Sequence, residues 1–387
     1  MLSKLYEGES RFVEYKQTYT KTLLKTVSAF SNYHDGCIVI GITDKGEIVG
    51  VEQPKEMALS VENAINDSLE PKPFFEIFYA THNNKQLLIL KVYKGDYTPY
   101  TANKKAYKRM DTSTVQADKH AYEELVLQGR NLSFEDLPVN YKNLEFQFLR
   151  SKLKYALNIH ELSEDLLIIL GLKKLGNYNN IAVLLSDNNP MDSSRVQLVA
   201  YTGDSVLEIK DRQILENITV LKQYEICMDF YRKHINVGEI IDGPYRKTLE
   251  EIPLVAYREA IANMIVHRDY SRKSDARVEV FSNRIEIVSP GGLPIGLSEE
   301  EYYEGRISVA RNRVLTDIFL RLKIIEKLAT GIRCIKEYYK DSSRKPEFII
   351  SENSVLVMLP KITWVRKNTE EIAIIRTDRL SDREREI

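Results

Sequence analysis

Glu9-Ser10-Arg11-Phe12-Val13-Glu14-Tyr15-Lys16, then Val27-Ser28-Ala29-Phe30-Ser31-Asn32, then Cys37-Ile38-Val39-Ile40-Gly41-Ile42-Thr43-Asp44 set the architecture of the first third of the chain. The opening octet alternates as a strand entered from a turn. Residues 20–32 place Leu23, Leu24, Val27 and Phe30 at spacings of one, three and three, which makes an amphipathic helix. Asp35-Gly36 punctuates, and Cys37 to Ile40 is a short strand of the buried type. Asp44-Lys45-Gly46 is a turn that leads to a second short strand over 47–51. Strand, helix and strand in close succession indicate an α/β domain.

Working outward, the pattern predicts a helix over 58–69 and strands over 75–80, 86–92 and 106–109. Polar, irregular sequence at 127–137 marks a boundary. Helices are expected at 145–157 and 163–170, strand-like runs at 181–185 and 197–201, a long helix at 218–233 and a strand at 239–241. Pro253 sits just inside the start of a helix over 253–267. Residues 277–281 and 284–288 read as a hairpin across Ser282-Asn283. A Pro/Gly loop follows at 290–294, then largely helical sequence over 311–339 and closing strands over 348–359. In the tail, Ser381 caps an apparent helix start that stops at Ile387, which reads as the beginning of a truncated winged helix.

At 387 residues the chain is expected to hold two or three domains. Its apolar content of 43% and charged content of 29% are those of a globular protein, and no apolar run approaches the roughly 20 residues that span a bilayer. Three scattered cysteines lack metal-ligand spacing and argue against a disulfide framework, so the expected compartment is the cytoplasm. A net charge of −1 leaves no global footprint for nucleic acid, so any such contact needs a local basic face.

Three constellations carry chemistry. Glu9, Glu14 and Asp44 would bind Mg²⁺ or Mn²⁺ if they converged, with Lys16 against a phosphate. Positions five apart on a strand face opposite sides, so convergence needs a bend; otherwise the glutamates are surface charges and Asp44 builds a turn. Lys104, Lys105, Lys108 and Arg109, interleaved with Tyr100 and Tyr107, make the best local basic patch, which Lys21 and Lys25 could extend. That composition suits phosphate contact with base stacking, or equally a solvated face with structural tyrosines. Glu259, Asn263 and His267 recur every fourth residue and share one helix face. Together they suit a water, a Mg²⁺ ion and a phosphate, or form the polar stripe of an amphipathic helix.

The first segment, Glu9 to Lys16 with Val27 to Asn32, Gly36, Ile40 to Asp44 and Gly46-Glu47-Ile48-Val49-Gly50, closely resembles the Schlafen AlbA-like domain. Schlafen endoribonucleases cleave tRNA and rRNA with three carboxylates, and the resemblance places them at Glu9, Glu14 and Asp44. Bacterial members are also described as DNA-binding transcriptional regulators. Two positions depart from the family: Asp35-Gly36 replaces Gly-Gly, and Asp111 stands where glycine is usual.

Tyr257 to Asn263, Val266 to Ser271, Arg284 to Pro294, Arg311-Asn312 and Thr330 to Arg333 resemble the degenerate GHKL-type ATP-binding domain fused to Schlafen AlbA-like domains. The resemblance implies that Asn263 binds Mg²⁺, that Glu259 positions water, and that His267, Gly291, Gly292, Thr330 and Gly331 contact ATP. The acid that reads adenine is replaced by Ser289-Pro290, and Ala329 replaces a glycine. The expected fold is therefore α+β: a Schlafen AlbA-like α/β domain (1–125), an α/β connector (126–250), a Bergerat-type α/β sandwich (251–362) and the tail (363–387). The expected function is a nucleic-acid-binding regulator that binds ATP, with a Mg²⁺- or Mn²⁺-dependent endonuclease for phage defence or stress as the alternative. Both resemblances imply a homo-oligomer.

Overall fold

The computed structural model describes residues 8–242, 245–294, 296–305, 307, 309–325 and 331–362, with only the backbone for residues 237–249. The helix expected at the chain's end and Thr330 lie outside the described residues. The chain divides into two compact units, 1–133 and 134–387, of mixed α+β structure.

The first unit runs β1 (Val13–Lys16), α1 (Leu23–Tyr33), β2 (Gly36–Ile40), α2 (Pro54–Ser68), β3 (Leu69–Glu70), β4 (Phe75–His82), β5 (Lys85–Val92), β6 (Thr101–Ala102), β7 (Lys105–Met110), β8 (Ser113–Gln116) and α3 (Lys119–Gly129). One sheet has the order β1-β2-β5-β4 and a second the order β3-β6-β7-β8. β1 and β2 are parallel, joined through α1, and the remaining pairs of the first sheet are antiparallel. Leu23, Val27 and Phe30 of α1 are fully buried against Ile38 and Ile40 of β2, as the helical spacing requires. Residues 47–51, expected as a strand, form a loop with a bridge between Ile42 and Ile48, in which Val49 N and Gly50 N donate to Gly41 O and Val51 N to Gln86 O, each at 2.8 Å. Gly41 and Gly50, both at positive φ, bend the chain too sharply for a ladder there.

Two polar residues of α1 hold the two sheets together. Asn32 accepts from Tyr100 N at 2.7 Å and donates to Tyr100 O at 2.9 Å, while Ser28 Oγ donates to the same carbonyl at 2.7 Å. Both departures from the family have a local reason. Asp35 Oδ1 accepts from Lys94 N at 2.9 Å, so its charge serves the main chain. Asp111 turns between β7 and β8 at φ 54°, a left-handed conformation that glycine adopts freely and aspartate tolerates.

The second unit runs α4 (Gln147–Leu157), α5 (Glu164–Ile169), β9 (Lys173–Lys174), β10 (Asn177–Tyr178), α6 (Asn180–Leu185), β11 (Val196–Tyr201), β12 (Ile209–Leu215), α7 (Val220–His234), β13 (Val237–Asp242), β14 (Tyr245–Glu250), α8 (Leu254–Val266), β15 (Ala276–Val280), β16 (Arg284–Pro290), α9 (Glu299–Glu304), α10 (Arg313–Arg321), α11 (Gly331–Tyr338), β17 (Glu347–Ile350) and β18 (Ser354–Pro360). Its main sheet has the order β12-β11-β15-β16-β18-β17. Strands from the expected connector and from the expected ATP-binding domain thus lie in one sheet and share one core, in which Leu198, Val278, Ile285 and Leu359 pack with Ile261 and Ile265 of α8.

Residues 181–185, expected as a strand, are helix α6. Five apolar residues in a row do not distinguish a buried strand from a buried helix. The cap decides: Asn179 Oδ1 accepts from Ala182 N at 3.2 Å and starts a helical turn. Pro253 is the residue before the first turn of α8 rather than within it.

A buried acid also starts α10. Glu135 accepts from Val314 N at 2.8 Å and Leu315 N at 3.3 Å. Burial outweighs these bonds and pushes its carboxyl up to about 7. The folded state then holds this proton more tightly than the unfolded chain, so the stabilisation present below pH 4.5 is lost as pH rises toward 7. The second unit is expected to lose about 3 kcal/mol across that window. Thermal melts of Glu135→Gln should show this slope flattened; an unchanged slope would mean that another group titrates.

Candidate functional site

Helix α8 is apolar nearly all round, with Ala256, Tyr257, Ala260, Ile261, Ala262, Met264, Ile265 and Val266 buried. Glu259, Asn263 and His267 form the polar stripe that breaks this surface. Asn263 and His267 open on a cleft, together with Ser289, Gly291, Gly292 and Gly331. Its remaining wall is apolar, including Met264, Ile287, Leu297, Tyr302, Ile332 and Val357. A few convergent polar groups on an apolar wall are the composition of small-ligand sites.

Gly331 closes onto the stripe. A Cβ there would meet the ends of the Glu259 and Asn263 side chains, which would have to swing aside. Gly291 has φ 96°, and a Cβ on it would run into the Asp269 side chain. His267 is pushed down to about 4 by burial, with the nearby Arg311 charge acting the same way. The imidazole is therefore neutral at pH 7.

A clamp that the sequence reading did not assign holds the glycine loop. Asp269 N donates to Pro290 O at 3.0 Å, and Gly291 N donates to Asn353 O at 2.8 Å. Asp269 Oδ2 pairs with Arg272 Nε at 2.9 Å and lies 3.5 Å from Arg311 NH1. Arg311 NH2 donates to Gly292 O at 3.0 Å, and Arg272 NH1 to Asn353 Oδ1 at 2.6 Å. Asp269 and Arg311 stand inside the quoted segments, but nothing local reveals that they meet. Ser289 Oγ, at the position of the missing adenine-reading acid, donates to Met264 O at 3.2 Å.

The donor set suits a nucleotide with Mg²⁺: a carboxylate and an amide one helical turn apart, a glycine cradle and an apolar wall. Glu259 and Asn263 would hold the ion and its water, and Gly291, Gly292 and Gly331 would let backbone approach phosphates. Such an ion would supply charge neutralisation at the phosphates.

The N-terminal acids are arranged differently from the expected metal trio. Glu14 is buried between Lys16, at 2.5 Å, and Arg109. Arg109 also donates to Thr114 Oγ1 at 3.0 Å and to Ser10 O at 2.9 Å. Glu9 Oε1 accepts from Tyr15 N at 2.9 Å. Asp44 is exposed in the Thr43–Glu47 turn. The three sets of carboxylate oxygens do not all come within 4.8 Å of one another. In this arrangement cationic side chains occupy both oxygens of Glu14.

The basic patch also divides. Lys104 and Lys105 are exposed at the β6–β7 turn, Lys108 lies 3.4 Å from Asp118, and Arg109 is interior. Tyr100 and Tyr107 are buried at 4% and 8% exposure, so neither offers a stacking face. Lys25 lies over the Tyr107 ring at 5.8 Å.

The fold and cleft define a two-part α+β protein that joins an α/β domain to a nucleotide-type cleft. Two segments of the chain resemble known families. Residues 9–118 match the family described as "Schlafen, AlbA_2", and residues 274–359 match "Putative ATP-dependent DNA helicase recG C-terminal". The chain thus carries a segment similar to the Schlafen AlbA_2 family, followed by one similar to a family of ATPase-like domains. These domains support binding of nucleic acid and of nucleotide. Among solved structures, the DIP2311 protein from Corynebacterium diphtheriae is similar in fold, at a TM-score of 0.51 and 19% identity over 91% of this chain and 75% of that one. The N-terminal domain of a RecG-related protein from Nitrosomonas europaea, titled a "Putative ATP-dependent DNA Helicase", matches 27% of this chain and 82% of that one at 25% identity and a TM-score of 0.23. No curated protein matches the chain. Among the described residues no helix is long and apolar enough to cross a membrane.

Proposed function

We propose that this protein is a nucleic-acid-binding regulator whose second unit binds ATP with Mg²⁺, and that nucleotide binding shifts its affinity for nucleic acid or its oligomeric state. One observation carries the reading: residues from α8, from the Ser289–Gly292 segment and from the start of α11 line a single cleft. Asn263 ligates the ion, Glu259 orients water, and the glycines admit the phosphates. Ser289 offers no carboxylate to the base.

In the first unit, Lys104 and Lys105 supply phosphate contacts. The engagement of Glu14 by Lys16 and Arg109 favours binding over cleavage. The test incubates the full chain with tRNA, single-stranded RNA and DNA in Mg²⁺ or Mn²⁺, beside a Glu9→Ala/Glu14→Ala variant. Binding without cleavage is expected, weakening as salt rises and weaker again in Lys104→Glu/Lys105→Glu. Cleavage that disappears in the acid variant would replace this reading with a metal-dependent endonuclease.

A further inference from the structure

A second concavity lies between α7 and α8, and its charged lining is Glu225, Asp229, Arg232 and Arg258. Three of these four are spoken for. Glu225 pairs with Lys152, and Asp229 accepts from Arg232 NH1 at 2.6 Å. Arg258 has no hydrogen bond or ion pair among the described residues, and its Nε is enclosed without a partner. Arg109 and Arg268 also have an enclosed Nε, but their terminal nitrogens are bonded, to Glu14 and to Ser194 O respectively. In Arg258 the terminal nitrogens are accessible and unbonded, so the fork is presented to the groove with its stem packed away.

Tyr224 stands beside it. Its hydroxyl has no hydrogen-bond partner among the described residues, although the residue is only 9% exposed. The ring is fixed edge-on against Phe319, with centroids 6.0 Å apart. Burial pushes the phenol up to about 12 against the opposing pull of the Arg258 charge, so the hydroxyl is a donor at neutral pH. The rest of the wall is apolar, from Met228, Leu254 and Val255.

We propose that this groove binds a small organic monocarboxylate, held by Arg258 and the Tyr224 hydroxyl with its hydrocarbon part along Met228, Leu254 and Val255. The charges select a monoanion: the two acids and their cations cancel, which leaves Arg258 as a single uncompensated positive charge. A guanidinium fork matches a planar carboxylate through two parallel hydrogen bonds. A dianionic phosphate would bring a second negative charge beside Glu225 and Asp229. None of these residues lines the nucleotide cleft, so the inference is independent of it.

Saturation-transfer NMR on the full chain tests it, with hexanoate as the probe and hexanamide as its uncharged counterpart. Hexanoate is expected to bind and hexanamide to bind at least about tenfold more weakly, because the amide forfeits the charge-assisted bonds. Arg258→Met should weaken hexanoate by about tenfold or more, and Tyr224→Phe by about threefold to tenfold. Arg258→Met should also melt at or above the wild-type temperature, because it removes an enclosed nitrogen that has no partner. Tyr224→Phe keeps the ring and tests the site even if the arginine variant fails to fold. Absent hexanoate binding overturns the proposal, and so does equal binding of hexanamide or full binding by both variants. Displacement of hexanoate by inorganic phosphate at lower concentration than by acetate would mark a phosphate site and also overturn it. A melt of Arg258→Met well below the wild type would make the guanidinium a structural group, with the same consequence.

Discussion

Replacing Arg109 with methionine is expected to destabilise the first unit by about 3–5 kcal/mol, because the change strips a buried carboxylate of its partner. The Arg109 side chain has no exposure, and its guanidinium reaches Glu14, Thr114 and two carbonyls of the Ser10–Val13 segment. These bonds tie β7 to β1 and to the turn before it. In Arg109→Met, Glu14 keeps only Lys16, and two carbonyl oxygens lose a donor. Hydrogen exchange of amides in residues 9–118 is the suitable readout, since it reports this unit separately from the second. Glu14→Gln/Arg109→Met should recover part of the loss, because removing both charges is less harmful than removing one. A cost below about 1 kcal/mol for the single variant would show that the pair behaves as a surface contact.

Asn263→Ala is expected to abolish the stabilisation that ATP with Mg²⁺ gives the second unit. A ligand at a hundredfold excess over its dissociation constant stabilises by about 2.7 kcal/mol, which for a unit of this size raises the melting temperature by roughly 5–10 °C. Asn263 stands on the cleft wall, one helical turn from Glu259, with Gly331 packed over both. The variant should melt close to the wild type without nucleotide and show no shift with it. Gly331→Ala should behave similarly, because its methyl group would occupy the space beside Glu259 and Asn263. A full shift in Asn263→Ala, or none in the wild type, would refute nucleotide binding at this cleft.

The candidate site was legible to unequal degrees. Asn263 and His267 could be placed together from sequence, because helical spacing is a local property and α8 is a regular helix. The clamp on the glycine loop could not, since Arg272 and Asn353 are 81 residues apart and no periodicity connects them. The N-terminal acids show the opposite case. Their spacing and resemblance were plain, yet Glu14 is held by Arg109, 95 residues along the chain. Tyr100 and Tyr107 looked suited to stacking because a sequence gives composition without exposure. Their burial follows from Ser28 and Asn32, which draw the segments around Tyr100 and Tyr107 onto α1.

The sequence by itself determined what short-range geometry controls. That includes the amphipathic face of α1, the buried β2 strand, the hairpin of β15 and β16, and the polar stripe of α8. Each arises from steric and hydrogen-bonding preferences within a few residues. Only the tertiary structure decided which distant segments meet. It set connector strands β11 and β12 in the same sheet as β15 to β18, made residues 181–185 a capped helix, and gave Glu14 to Arg109 and Lys16. These outcomes depend on strand order and on which charges share a buried space, and both are fixed by long-range packing.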